Sequence, residues 1–431
     1  MIRKSNSRLT NRRNYSLVSL FTGAGGLDYG FEAAGFSTCL ALEMDRDCRE
    51  TLRKNRLWPL ISEDIHQVSS ERILHTSGLR KGEVDVLAGG PPCQPFSKSS
   101  YWATGDARRL GDPRANTLCA YMRCVRDLLP RVFVLENVHG ISYTGKEEGL
   151  LLIARLTEGI NRSEKVQYSL TSKVVNMAHY GVPQIRQRFF LVGCRDGHRF
   201  AFPPETHVVA SETDQFPMVA PIGHPATTAW DAIGHLEREK TDEDLRVKGK
   251  WADLLPSIPE GENYLWHTNR KGGEPLFGWR TRYWSFLLKL AKNRPAWTIQ
   301  AQPGPAIGPF HWKNRLLSSR EMCRLQTFPE DVTLSGARSA IQRQLGNAVP
   351  SLFAELLGRA IRSQVFGDPV VGAPRLLVRH QSDTPPPEPL RPVPPEFLSL
   401  VGEHAEHPGT GKGVRARSRI RTRDCGLFFG R

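Results

Sequence analysis

Residues 89–97 read GGPPCQPFS and follow the apolar stretch 84–88, which places one thiol, Cys93, at the end of an expected strand. Proline on both sides removes backbone donors and biases its neighbours away from helix, so Cys93 sits on a shaped loop. A partly exposed loop thiol suits a thiolate nucleophile; the competing reading is a small hydrophobe that merely follows a strand. Its companions decide between them. Glu136 ends the apolar run 132–136, where its carboxyl would share a cleft with Cys93 unless it is simply a surface residue. In QIRQR (184–188), Gln184, Arg186 and Arg188 alternate and therefore share one face, either a cationic row facing a ligand or an ordinary solvated edge.

A second group of residues points to a bound nucleoside. Phe21, Gly23, Gly25 and Gly26 belong to FTGAGG, a turn between a strand and a helix where glycine lets the backbone approach a ligand. Glu43 lies about twenty positions on, the spacing of an acid that binds ribose hydroxyls, and Asp64 follows it. FTGAGG lacks the GxGxxG pattern, which argues against a nicotinamide dinucleotide. QLGNAVP (344–350) forms a turn that opens the last helix.

The elements that must position these residues are strands over 15–21, 38–43, 84–88, 132–136, 169–176 and 188–194, with helices over 27–34, 46–55, 115–129 and 147–159. This alternation predicts a doubly wound, mostly parallel α/β sheet covered on both faces. A basic arm (1–13) precedes this α/β domain, assigned to 14–203. Segment 204–318 is irregular and holds seven of the nine tryptophans; helical patterning returns over 319–366. The Pro- and Arg-rich remainder, 367–431, reads as a disordered tail.

The chain carries 59 Lys and Arg against 44 Asp and Glu, a formal charge of +15 that suits a polyanionic partner. Its eight cysteines form no CxxC pair and no metal-ligand spacing with histidine, so neither a disulfide framework nor a metal site is expected. No apolar run reaches membrane-spanning length and the N-terminal residues lack a signal-peptide core, which predicts a soluble, intracellular protein.

Taken in order, FTGAGG, Glu43, Asp64, GGPPCQPFS, Glu136-Asn137-Val138, QIRQR, a variable segment, REMCRLQTFP (320–329) and QLGNAVP closely resemble the motif series of the DNA (cytosine-5)-methyltransferases, of the bacterial restriction-modification type, over about residues 16–360. The resemblance implies a Rossmann-like S-adenosyl-L-methionine-dependent fold with a smaller, irregular target-recognition domain at 204–318. It implies Cys93 as the nucleophile at cytosine carbon-6, Glu136 as the acid at ring N3, and Arg188, supported by Arg186 and Gln184, at the base's O2 and nearby phosphates. Toward the cofactor it implies Phe21 stacking on adenine, Gly23, Gly25, Gly26 and Leu27 near the methionine part, Glu43 on ribose, Asp64 and Ile65 at the adenine edge, with Pro92, Asn347 and Ala348. Met44 stands where the family often has an aromatic wall, and a thioether also packs on a ring.

Toward duplex DNA the resemblance implies Gln94 and the glycine-bearing loop 97–112 with Ser97, Ser99, Tyr101 and Trp102, one of which fills the gap left by a flipped base. In the recognition segment Arg270, Lys271, Arg280, Arg282 and Thr298 are the candidate DNA contacts, because ten Lys or Arg face one acid, Glu274, between 263 and 320. The expected setting is a monomer in the bacterial cytoplasm, with a cognate restriction endonuclease acting independently. Three other readings compete: a tRNA-directed branch of the family, whose Cys-Phe-Thr marker is missing here; a catalytically idle DNA-binding protein; and a nicotinamide-dependent oxidoreductase.

Overall fold

Short apolar runs alternate with amphipathic helices through the first half of the chain, and in the computed structural model they build one seven-stranded sheet. The structure describes residues 14–92, 115–138, 148–209, 223–279, 283–381 and 383–404. The strands are β1 (Tyr15–Leu20), β2 (Phe36–Leu42), β3 (Leu60–Ile61), β4 (Val86–Gly89), β5 (Val132–Val138), β6 (Ser169–Asn176) and β8 (Gln187–Cys194), in the spatial order β3-β2-β1-β4-β5-β8-β6. A two-residue strand, β7 (Gln184–Ile185), precedes β8 outside this sheet. β1 to β5 are mutually parallel, while β8 runs antiparallel to both β5 and β6. Among the described residues, four helices alternate with the parallel strands: α1 (Gly26–Ala33), α2 (Arg46–Asn55), α3 (Ser70–Ser77) and α4 (Ala115–Leu128); α5 (Glu148–Glu164) follows β5.

Both faces of the sheet are covered, as expected from strands that read as continuous apolar runs. Val18, Leu20, Leu87, Phe133 and Leu135 pack under Tyr121 and Val125 of α4 on one face. Leu17, Val86, Val134, Phe190 and Val192 pack on the other face, under Phe31 of α1 and Leu352, Phe353 and Leu357 of a C-terminal helix. That helix, Ser351–Val365, crosses α1 so closely that a Cβ on Gly30 would lie 2.3 Å from the Ser351 carbonyl oxygen.

Residues 223–318 are mostly irregular. Two-residue strands β9 (His207–Val208) and β10 (His224–Pro225) lead into α6 (Ala229–Ile233), and β11 (Ala296–Trp297) pairs with β7. A separate apolar cluster of Leu254, Leu255, Ile258, Tyr264, Leu287 and Phe310 gives this module its own core, against which Trp251, Trp266 and Trp279 pack. The chain then returns through α7 (Ser319–Leu325), α8 (Arg338–Asn347) and α9 (Ser351–Val365), and later forms a short α10 (Pro395–Leu398).

The disordered tail expected from 367 onward needs correction over 368–381 and 383–404. Arg375 and Leu376 donate backbone N–H bonds to Glu355, Val378 is buried in the cluster around α6 and α7, and Phe397 is buried in the module's core. Proline-rich composition suppresses regular structure without preventing an extended strand of chain from packing on a surface prepared for it.

Asp28, in the first turn of α1, is buried, with the Ser19 side chain as its one polar side-chain neighbour opposing the effect of burial. Burial pushes its pKa up from 3.8 to about 7. The folded protein thus holds a proton that the unfolded chain releases, so this group's contribution to stability is complete below pH 3.8 and declines as pH rises to about 7. Asp28→Asn should remove that slope. In urea denaturation at several pH values, the variant should gain stability relative to wild type as pH rises across this window; a constant difference would show that Asp28 is already ionised in the fold.

Candidate active site

The first parallel strands deliver the Gly-rich turn and Glu43 to one edge of the sheet. Phe21, Gly23 and Gly25 all have positive φ, at 55°, 58° and 85°, and a Cβ on Gly23 would meet nothing within 4 Å, so the space above the turn is open. Glu43, directly after β2, accepts the Gly23 N–H through Oε2 and the Asp45 N–H through Oε1, each at 2.7 Å. Burial raises its pKa, with both amides opposing. Gly26 permits the C-terminal turn to touch this loop, since a Cβ there would lie 2.3 Å from the Val349 carbonyl oxygen.

The remaining cofactor candidates differ in exposure. Met44 is 62% exposed, Asn347 is exposed and Ala348 half-buried. The Leu27 side chain is buried in the core beneath α1, which leaves its backbone in the first helical turn as its contribution to a ligand. Asp64 accepts the His66 N–H at 3.0 Å and shapes the turn that carries buried Ile65. Arg343 of α8 clamps the wall: its guanidinium bonds Asp45 at 2.5 Å and Asp47 at 3.0 Å, while Gln344 accepts from Thr51 at 2.7 Å. The sequence reading missed this clamp, although a basic residue just before the GNAVP turn and two acids after Glu43 were there to be paired.

Glu136 and Arg188 form the electrostatic centre. In the β5–β8 ladder Glu136 faces Phe190 and Val138 faces Arg188, which makes Glu136 and Arg188 diagonal neighbours on one face, within reach of long side chains. Arg188 Nε lies 3.2 Å from Glu136 Oε1, with the side chains 16% and 11% exposed. Burial raises the Glu136 pKa, and Arg188 and then Arg186 oppose that rise. A carboxyl in this setting can keep its proton at higher pH than an ordinary glutamate and hold a ring nitrogen.

The loop that leads to Cys93 starts against this carboxyl. A Cβ on Gly90 would lie 2.8 Å from Glu136 Oε2, so any larger residue there would displace this carboxyl. Asn137 donates to the Pro91 carbonyl at 3.3 Å, and Thr117 of α4 donates to that of Pro92 at 3.2 Å. Pro92 itself is exposed. Cys93, Gln94, Ser97, Ser99, Tyr101 and Trp102 lie outside the described residues, as do Arg280 and Arg282.

Two assignments change. Gln184 and Arg186 do not continue the row begun by Arg188, because the strand breaks at Arg186 and β11 covers β7; both side chains are fully buried. Arg186 donates to the carbonyls of Ile299 at 3.3 Å and Gly346 at 2.6 Å, and Gln184 bonds the Leu325 carbonyl and the Ile299 amide. They tie the sheet to the module and to the C-terminal turn rather than facing DNA. Thr298 uses its hydroxyl on the Ile185 carbonyl at 2.7 Å. Arg270 stacks over Trp279 at 4.0 Å and Lys271 pairs with Glu262 at 3.2 Å, and both are exposed. Tyr283, Trp284 and Trp297 are 51%, 61% and 44% exposed, unlike the tryptophans in the module's core. Gln300 bonds Ser285 at 2.7 Å, so 283–285 and 297–300 lie together beside the strand that leads to Arg188.

Among the described residues, no cluster of His, Cys, Asp and Glu is arranged to hold a metal ion, and no helix is long and apolar enough to cross a membrane.

Arg186 and Arg188 should behave differently when replaced by Met. Arg186→Met strands buried carbonyls and should lower the unfolding free energy by about 1–3 kcal/mol in urea denaturation. Arg188→Met removes the charge that holds Glu136 down, so the Glu136 carboxyl, followed by carbon-13 NMR, should titrate at higher pH than in wild type. An unshifted titration would show that the pair is not electrostatically coupled.

Comparison with known proteins identifies the family. The profile of the C-5 cytosine-specific DNA methylases matches residues 15–363. The Type II methyltransferase M.SacI of Streptomyces achromogenes is 38% identical over 378 residues, covering 81% of this chain and 93% of that protein. M.NgoFVII of Neisseria gonorrhoeae is 32% identical, covering 85% and 92%. Among solved structures, a prophage-encoded E. coli protein described as a DNA modification methyltransferase aligns with a TM-score of 0.55 at 23% identity, over 82% of this chain and all of that one. A Spodoptera frugiperda DNMT2 variant aligns at 0.54 and 16% identity, over 80% and 98%; these two show the fold alone. The chain belongs to the C-5 cytosine-specific DNA methylase family and is a DNA (cytosine-5)-methyltransferase.

Proposed function

We propose that this enzyme methylates one cytosine within a specific duplex DNA sequence through a covalent Cys93 adduct, and that it is the modification partner, as a monomer, of an independently acting restriction endonuclease. The observation that supports the chemistry is the buried Glu136–Arg188 pair with Gly90 against it, three residues before Cys93 in the sequence. The restriction-modification role rests on the relatives, which are named Type II methyltransferases.

Cytosine carbon-5 is a poor nucleophile, so the ring must first be activated, and a stacked base must leave the duplex at a cost of a few kcal/mol. The Cys93 thiolate adds to carbon-6 while Glu136 delivers its proton to N3, which turns carbon-5 into an enamine carbon. Arg188 holds O2 and steadies the developing charge. S-adenosyl-L-methionine, when bound, supplies an electrophilic methyl group to carbon-5. Removal of the carbon-5 proton by a base then pushes out the Cys93 thiolate, and the N3 proton returns to Glu136.

The open space over Gly23 and the buried Glu43 carboxylate suit the cofactor, with Glu43 accepting from ribose hydroxyls and exposed Met44 and Asn347 beside the turn. For DNA, the exposed aromatics Trp284 and Trp297 beside the Arg188 strand are stronger candidates than Arg270 and Lys271, whose charged groups already have partners.

Cys93→Ser should abolish methyl transfer while DNA and cofactor binding persist, and Glu136→Gln should slow single turnover by about two to four orders of magnitude. Wild type should form a covalent adduct with 5-fluorocytosine DNA; an adduct at another cysteine, or turnover by the serine variant, would sink the mechanism. Expression in a methylation-free host with 5-methylcytosine mapping tests site specificity directly.

Trp284→Ala and Trp297→Ala should each weaken DNA binding by about 1–3 kcal/mol, the range for losing an aromatic contact to a base. Arg270→Ala should change affinity less. Fluorescence anisotropy with cognate duplex measures this, and unchanged affinity in both tryptophan variants would remove them from the interface.

A further inference from the structure

We infer that residues 375–381 and 383–404 form a brace that positions the Trp-rich module over the catalytic face, with Glu388 and Phe397 as positioning residues. Its link to DNA selection rests on the reading above that this module contacts DNA.

The segment is anchored at three places. At the sheet, Glu355 of α9, fully buried, accepts the backbone N–H groups of Arg375 and Leu376 at 2.7 and 2.9 Å. At α6, Val378 enters the cluster that holds Trp230 and Leu325, and Gln381 bonds Asp231 at 2.8 Å and the Trp230 carbonyl at 3.0 Å. At the module, the Glu388 carboxylate lies 2.9 Å from Lys292 Nζ, whose other partners are Glu260 at 2.7 Å and the Pro386 carbonyl at 3.0 Å. Lys292 is 3% exposed, so the brace supplies one of the two carboxylates that compensate a buried ammonium. Beyond it, Arg391 donates to the Pro256 carbonyl, and Phe397 stacks on Trp251 with centroids 5.6 Å apart and planes at 18°.

The module is also attached near the active site, where β11 pairs with β7, Thr298 bonds Ile185, Arg186 donates to the Ile299 carbonyl and Gln342 of α8 donates to the Gln300 carbonyl at 2.6 Å. The brace adds to these contacts a tether from a segment remote in sequence. The prolines at 385, 386, 387, 389, 392, 394 and 395 stiffen the connection between anchors, because each restricts its own backbone and has little freedom to lose on docking.

The test uses the full-length protein carrying Glu388→Gln and Phe397→Ala together, and Glu388→Gln alone in case the pair fails to fold. Hydrogen exchange should accelerate over 251–290 while β1, β4 and β5 keep wild-type protection and S-adenosylhomocysteine affinity is unchanged. Steady-state kinetics should then show KM for DNA raised about 5- to 30-fold, with kcat within about two-fold. Phe397→Leu should stay close to wild type. Unchanged exchange over 251–290, or a parallel loss of sheet protection and cofactor affinity, would overturn the brace. If exchange accelerates and KM does not move, the brace stands and the assignment of DNA contact to the module fails. A wild-type protein that methylates no DNA would defeat the functional reading, with the exchange result still judging the brace.

Discussion

The site depends on a carboxylic acid kept away from water beside a permanently charged guanidinium. Glu136 would ionise at ordinary acidic pH on a surface, and burial alone would make it hold its proton too tightly to hand it to a base. Arg188 at 3.2 Å sets the balance between these limits. That balance requires the reversed strand. β8 is antiparallel to β5, so its first residues, not its last, lie beside the carboxyl end of β5, and Arg188 enters at the edge where the parallel strands present Glu43 and Glu136. A parallel neighbour would have brought Cys194 there instead.

The same edge explains why segments far apart in sequence form one site. The wall beside the Gly-rich turn is completed from the C-terminal part of the chain: Val349 touches Gly26, Arg343 clamps Asp45 and Asp47, and Arg186 reaches the Gly346 carbonyl. Arg186 is therefore informative although it does not face the cleft. Its buried guanidinium satisfies carbonyls from the module and from the C-terminal turn, which keeps three parts of the chain in register at a place where a stranded polar group would be costly.

Much of this was legible because strands buried on both faces produce uninterrupted apolar runs, and the alternation of such runs with helical patterns allows few architectures. The helix Arg46–Asn55 and the strand Ser169–Asn176 fall at the expected residues. Strand direction was not legible, since the alternation of Arg188, Phe190 and Val192 reads the same both ways. Nor was the break at Arg186: period-two alternation puts Gln184, Arg186 and Arg188 on one face only if the strand is continuous, and here it is interrupted. Aromatic density located the module but did not separate Trp251, in the core, from Trp284, in solvent, because that depends on contacts with distant residues such as Phe397.

Residues 368–381 and 383–404 show why composition misleads at the end of the chain. Few apolar residues and many prolines mean that a segment cannot build a core, which is a statement about folding alone. Docking asks for less: a few apolar side chains at the right intervals and backbone groups that meet prepared partners. Val378 and Phe397 supply the first, and Glu355, Asp231 and Glu260 supply the second through backbone N–H groups at 375, 376, 381 and 388. The acceptors are carboxylates set in the surface the segment crosses, so the information that orders it is written in the rest of the chain. Read by itself the segment is featureless; read with those acids it has one path.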